Sequence, residues 1–238
     1  MNFAVPFFDV ISDLTGYIDG TKISMPGQGW FIANHIVSYF YRKNIKTYIE
    51  TLPAVMVRKR AMGNFLRIGG LRINLTPDIV FLNKNMIKHI KYMKLFDFYK
   101  DSIVIATNIN DLQLCDIKNY KSGIPNPVYS ALGIAFKKIY EKKCGYFGDL
   151  KKSSYFSKAH YREIPSLLLK NEINAGILWR SEALYWKFKY IEIPETETVF
   201  SVALLNENEN SKQVYEALQS GELNIYYDKY ECCINKKS

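Results

Sequence analysis

Three histidines (His35, His89, His160) and four cysteines (Cys115, Cys144, Cys232, Cys233) are the residues of this 238-residue chain best suited to metal or nucleophilic chemistry. Their spacing supports neither. The histidines lie far apart and none sits in an H-E-x-x-H pattern. There is no G-x-S-x-G elbow, Walker A loop or recognisable Cys–His pairing. No cysteines form a C-x-x-C pair, which argues against a zinc ribbon or a thioredoxin-type site. Cys232 and Cys233 are adjacent, and a bridge between them would close a strained ring. The four thiols therefore read as free, which suits a reducing compartment. His35, beside Asn34 in an amphipathic stretch, reads as a packed histidine. Asp78, Lys170 and Glu182 are the nearby acid–base candidates, but they form no base–nucleophile pair. No catalytic residue, metal or cofactor is assigned.

What does recur is a short apolar run, a loop of small residues, and the start of a helical pattern. It occurs at Pro26-Gly27-Gln28-Gly29, Met62-Gly63-Asn64, Tyr129-Ser130-Ala131 and Trp179-Arg180-Ser181. Helix N-termini carry unpaired N–H groups and the positive end of the helix dipole, so such loops hold anions without needing a lysine. In open α/β sheets they gather at the carboxyl ends of the strands, where ligands bind.

The elements that must position these loops alternate β-branched runs with amphipathic stretches, the signature of βαβ units. Strands are expected at 21–25, 54–58, 78–82, 101–107, 175–179, 189–193 and 198–205. Helices are expected at 30–41, 65–68 (ended by Gly69-Gly70), 85–93, 109–117, 131–140, 163–169, 181–185 and 213–219. Residues 122–130, with two prolines, read as loop, and the tail from Tyr226 as frayed. Apolar residues make up 48% of the chain, ordinary for a globular protein. No run reaches the roughly 18 apolar residues that would span a bilayer.

The order of several segments is similar to that of a known family. Thr76-Pro-Asp-Ile-Val80 before a helix, Asn126-Pro127 with Gly133 six residues on, and above all residues 168–184 (LLKNEINAGILWRSEAL) resemble the molybdate/tungstate-binding family of extracellular solute-binding proteins. Residues 191–194 and 199–204 match its following strands, and the likeness runs from about Ala54 to Leu205. It implies an α/β, two-lobed type II periplasmic-binding-protein fold with the ligand cleft between the lobes. Lobe 1 would comprise residues 1–105 with 197–238 and lobe 2 residues 106–196, the chain crossing near Ala106 and returning near Thr196. It also implies ligand positions at Gln28 or Gly29 and at Asn64 in the first lobe, Asn64 lying fourteen residues before Asp78. In the second lobe these fall at Ser130, Ala131, Leu132, Trp179 and Arg180. An alternative register places the first two loops at Pro6-Phe7-Phe8 and Gln28-Gly29. Where family members present hydroxyls, this chain has Gln and Asn amides, which still donate to an oxyanion. Trp179 replaces a tyrosine and keeps an indole N–H. Ser130 and Leu178 stand where some members carry acids, which argues against an octahedral tungstate shell.

The implied function is non-catalytic capture of a small anion (molybdate, tungstate or sulfate) or a polar metabolite, with an ABC permease as partner if the protein is exported. Residues 1–9 lack a basic segment and a sufficient apolar stretch for a signal peptide. The sequence as it stands thus reads as cytoplasmic, and as extracellular if a leader has been removed. Two alternatives remain. The charge of +9 draws anions of every kind, and the cluster Arg58-Lys59-Arg60 with Arg67 and Arg72, or the pairs at 137–138, 142–143 and 151–152, could bind nucleic acid, although no helix-turn-helix is apparent. An enzyme for anionic substrates on the same fold is the other.

Overall fold

Apolar, mostly β-branched residues with zero exposure, among them Ile23, Ile49, Val80, Phe81 and Val202, build one sheet, and Val104, Ile177 and Leu178 build another. The structure, a computed structural model, describes residues 13–68, 71–158 and 162–230. Among the described residues two units are found, one of residues 13–100 with 198–230 and one of residues 101–197. The chain thus leaves the larger unit after Lys100 and rejoins it at Thr198.

In chain order the larger unit runs β1 (Leu14–Gly16), β2 (Thr21–Pro26), α1 (Trp30–Tyr41), β3 (Thr47–Leu52), α2 (Ala54–Ala61), β4 (Leu66–Ile68), β5 (Leu71–Ile73), β6 (Ile79–Asn83), α3 (Lys84–Ile87) and β7 (Lys94–Asp101). The smaller unit follows with β8 (Ile103–Thr107), β9 (Ser122–Ile124), α4 (Ala131–Lys143), β10 (Ser154–Phe156), α5 (Glu163–Leu169), β11 (Ala175–Trp179), α6 (Arg180–Tyr185) and β12 (Tyr190–Glu192). Back in the larger unit come β13 (Thr198–Leu204), α7 (Glu209–Gln219) and α8 (Asn224–Asp228).

The larger sheet has the order β1-β3-β2-β6-β13-β7, with β2, β3 and β6 parallel and β13 antiparallel to β6. The smaller sheet has the order β10-β9-β11-β8-β12, with β9, β10 and β11 parallel. Strands buried on both faces read as continuous apolar runs, which is why β6, β11 and β13 stand out in the sequence. Helix α1 follows from Ile32, Ile36 and Phe40 at four-residue spacing, all buried. Helix α7 begins at a reciprocal cap, Asn208 accepting from the Ser211 N–H and Ser211 Oγ from the Asn208 N–H.

Several sequence expectations are corrected. Residues 54–58 are helical, within α2, and the strand precedes them at Thr47–Leu52. Glu50 interrupts that strand's apolar pattern, yet it is only 2% exposed because Arg60 pairs with it at 2.7 Å. Residues 66–68, expected to be helical with Phe65, form strand β4, paired antiparallel with β5. The helix expected at 85–93 is the single turn α3, and that at 109–117 is a 3-10 turn at Leu114–Asn119. Residues 122–124, read as loop, form β9, and the segment 226–228 is helical. Free thiols are overturned for two cysteines, since Cys115 and Cys144 form a disulfide in the smaller unit. The argument from thiols for a reducing compartment falls with them. Cys232, Cys233, His160, Gly69-Gly70 and the alternative loop at residues 6–8 lie outside the described residues.

Candidate functional site

In the larger unit, register decides what comes together. Pro26 of β2 pairs with Leu52 of the parallel β3, and Ser24 pairs with Val80 of the parallel β6. The carboxyl ends of three adjacent strands therefore lie along one sheet edge. Each leads into a helix almost at once: a 3-10 turn at Gly27–Gly29 before α1, Pro53 before α2, and Asn83 before α3. The Asn83 side chain caps its helix, accepting from the Met86 N–H at 3.0 Å.

Gln28 and Gly29 sit on this edge. The Gln28 side chain is buried, and its Nε2 donates to the Tyr99 hydroxyl at 2.9 Å. Tyr99 in turn stacks on Phe200 at 4.6 Å. A Cβ on Gly29 would meet Met25 Cε at 2.5 Å, so the small residue lets α1 begin close to β2. Asn64 is placed elsewhere. It follows the C-terminus of α2, exposed, its Nδ2 donating to the Lys59 carbonyl at 3.0 Å. The strand–loop–helix junction expected there is at Leu52-Pro53-Ala54, a site missed because Val55 and Val57 suggested a strand. A proline directly before a helical run was the available signal.

In the smaller unit, Ser122 and Gly123 of β9 pair in parallel with Ala175 and Gly176 of β11. Their carboxyl ends bring the loops at 125–130 and 180–181 to one edge. Ser130 is the N-cap of α4, its hydroxyl accepting from the Gly133 N–H at 3.2 Å. Ala131 and Leu132, both buried, form the helix's first turn, where backbone N–H groups have no intrahelical acceptor. Gly133 is required: a Cβ there would lie 2.3 Å from the Pro125 carbonyl oxygen. The preceding loop is fixed by Ser157, whose Oγ accepts from the Asn126 N–H at 3.0 Å, and by the Tyr129 hydroxyl, which donates to the Ser157 carbonyl.

Trp179 is buried at the end of β11, and Arg180 opens α6. The Arg180 N–H donates to the Ser102 carbonyl at 2.9 Å, and its guanidinium lies 3.9 Å from Glu192. Sequence reasoning missed its neighbour Asp101. That carboxylate, 1% exposed, accepts from Ser181 Oγ at 2.5 Å, the Ser102 N–H at 2.9 Å and the Ser181 N–H at 3.2 Å. Burial pushes its pKa up to about 6, against the pull of the Ser181 and Ser102 donors and the Arg180 charge. A folded-state value above the unfolded one leaves stability intact below about pH 4 and erodes it as pH rises through 6. Asp101→Asn is therefore expected to flatten the decline between pH 4 and 6.5. Urea unfolding across that range checks this; an unchanged profile refutes it.

The acid–base candidates occupy structural positions. Asp78 lies at the amino end of β6, its Oδ2 accepting from the Lys22 N–H at 2.9 Å. Glu182 is buried in α6, and Lys170 is exposed at the end of α5. His35 stacks on Tyr226 at 5.1 Å. Among the described residues no group of three or more His, Cys, Asp or Glu could hold a metal ion. No helix among them is long and apolar enough to cross a membrane.

The fold is shared with solved solute-binding structures. The periplasmic molybdate-binding protein of Azotobacter vinelandii superposes with a TM-score of 0.73 at 10% identity, over 90% of this chain and 99% of that one. L-phospholactate-bound PEB3 gives 0.64 at 12% identity, over 90% and 100%. A periplasmic thiamin-binding protein gives 0.64 at 13% identity, over 84% and 77%. These likenesses establish the type II periplasmic-binding-protein fold. No curated protein matches the sequence. The profile of the bacterial extracellular solute-binding proteins does match it over residues 37–222, well over half its length. The chain belongs to the bacterial extracellular solute-binding protein family, whose members bind small ligands.

Proposed function

We propose that this protein captures a small anion, an oxyanion such as molybdate, tungstate or sulfate, or otherwise a polar metabolite, without transforming it, and delivers it to an ABC permease. The observation that carries this reading is the alignment of parallel strand ends in each unit, with helices following β2, β3, β6 and β11 almost at once and α4 following β9 after the loop at 125–130. Such edges present oriented N–H groups with little side-chain entropy to lose. The contributing loops are 26–30 and 52–54 in the larger unit, and 126–132 and 179–181 in the smaller. Gln28 contributes by shaping its loop through Tyr99, and Asn64 is replaced in this role by the backbone N–H groups of Ala54 and Val55 at the start of α2, Pro53 having none to offer. Arg180, paired with Glu192 at 3.9 Å, places a guanidinium at the start of α6, and the net charge of +9 favours anions further. Two of the similar structures are named for molybdate and L-phospholactate, which carry tetrahedral oxyanion groups; the third is named for thiamin. The disulfide suits delivery on the outer, oxidising side of a membrane.

A ligand at a hundred times its dissociation constant stabilises the folded state by about 2.7 kcal/mol. Thermal melts with molybdate, tungstate, sulfate, phosphate and a panel of polar metabolites should therefore show a rise for at least one. Ala131→Asp places a negative charge in the first turn of α4, at a cost in stability because Ala131 is buried, and should abolish an anion's stabilising effect while leaving a neutral ligand's. Silence from every oxyanion and metabolite at millimolar concentration overturns the reading.

A further inference from the structure

The 27 residues between Glu50 and Asp78 contain no acid and five cations, Arg58, Lys59, Arg60, Arg67 and Arg72. Arg60 is consumed internally. Its guanidinium pairs with Glu50 and donates to the carbonyls of Asn64, Ile73 and Leu75, so it fastens both ends of the β4–β5 segment to α2. The hairpin is thus a fixed display. Leu66 and Ile73, paired across it, are 1% and 6% exposed and face inward. Arg67 and Arg72, paired directly opposite each other, are exposed on the outer face. Arg72 Nε also donates to Asn74 Oδ1 at 2.9 Å. Beside them Met62 and Phe65 are 58% and 50% exposed, and the Arg72 guanidinium covers one face of the Phe65 ring at 4.1 Å.

We propose that this face, formed by Lys59, Met62, Phe65, Arg67 and Arg72, docks the protein onto an anionic lipid surface. Cations flanking two protruding apolar side chains match the boundary between headgroups and acyl chains. There the arginines meet phosphates and Met62 and Phe65 enter apolar depth. Nucleic acid would use aromatic faces as stacking platforms, but the one aromatic ring on this face is already covered on one side by Arg72, and Met62 gives a base nothing to stack on. The inference is independent of the ligand reading, since none of its residues belongs to the loops assigned there.

Co-sedimentation of the full chain with vesicles tests it, using phosphatidylcholine alone or equal parts phosphatidylcholine and phosphatidylglycerol. Binding should require phosphatidylglycerol and weaken with salt. Arg67→Gln with Arg72→Gln should lower partitioning about 25-fold, from roughly fivefold per basic residue, and Arg67→Lys with Arg72→Lys should restore most of it. Met62→Ser with Phe65→Ser should lower binding and leave its salt dependence unchanged. Lys137→Gln with Lys138→Gln, on α4, should change nothing. Three results overturn the proposal: no binding to anionic vesicles at low salt, an equal loss in the α4 variant, or tighter binding of single-stranded RNA that the hairpin variants abolish. Melting temperatures of the variants separate loss of docking from loss of fold, and the lysine pair keeps the test decisive if the glutamine pair unfolds.

Discussion

Reduction of the Cys115–Cys144 disulfide, or Cys115→Ser with Cys144→Ser, is expected to destabilise the smaller unit by about 3.5 kcal/mol. That is the loop-closure value for a cross-link of this span, given the separation of 29 residues. The bond joins the 3-10 turn at Leu114–Asn119 to the C-cap of α4. It therefore restrains the far end of the helix whose first turn is proposed to meet the ligand. The last turn of α4 is held in a second way, by Lys142 and Lys143, which pair with Glu195 at 2.8 and 3.3 Å. These exposed pairs contribute little, so they cannot replace the cross-link. Thermal melts with and without reductant measure the effect, and a double-serine variant that melts within a degree or two of the parent would show that the bond carries no stability.

Arg60→Met should be the most damaging single substitution in the larger unit, costing about 3–5 kcal/mol. Removing one partner of a buried pair leaves the other charge uncompensated. Here Glu50 and Arg60 are 2% and 3% exposed, and three carbonyls lose their donor along with the carboxylate. Glu50→Met combined with Arg60→Met should recover much of the loss, because two apolar side chains of similar length need no solvation. Urea unfolding of both variants decides the matter. A cost below about 1 kcal/mol for Arg60→Met alone would mean that water reaches Glu50. Amide exchange in residues 64–75 should rise in Arg60→Met even where the unit remains folded, since the guanidinium fastens that segment.

The same ion pair explains where the sequence could not be read. Strands β2, β6, β11 and β13 and helices α1 and α5 were legible within a residue or two, and α4 from its first residue though three residues short of its end, because their apolar positions follow one period. In β3 a glutamate occupies a fully buried strand, and its compensation lies ten residues later in α2. No local window connects the two, so the strand was lost and the helix, with Val55 and Val57, took its place. Residues 66–68 and 71–73 are too short to separate strand from helix by periodicity. Four cysteines allow three pairings, none chosen by spacing. The loops proposed to meet ligand were largely visible as small residues before helical patterns. The use of the Gln28 amide was not, since its acceptor is a tyrosine 71 residues away.

The division of the chain also sets an order of assembly. Strand β13 lies inside the larger sheet, between β6 and β7, yet it is made after the entire smaller unit. As the polypeptide emerges, residues 101–197 form a contiguous piece with its own sheet and both bridging cysteines, and they can finish folding first. The larger sheet keeps an unfilled slot between β6 and β7 until residue 204 appears. Exposed strand edges of that kind pair readily with the wrong chain. Nascent protein stalled just after residue 197, before β13 is made, would thus carry a completed insert within an incomplete host, and aggregation should begin from the host.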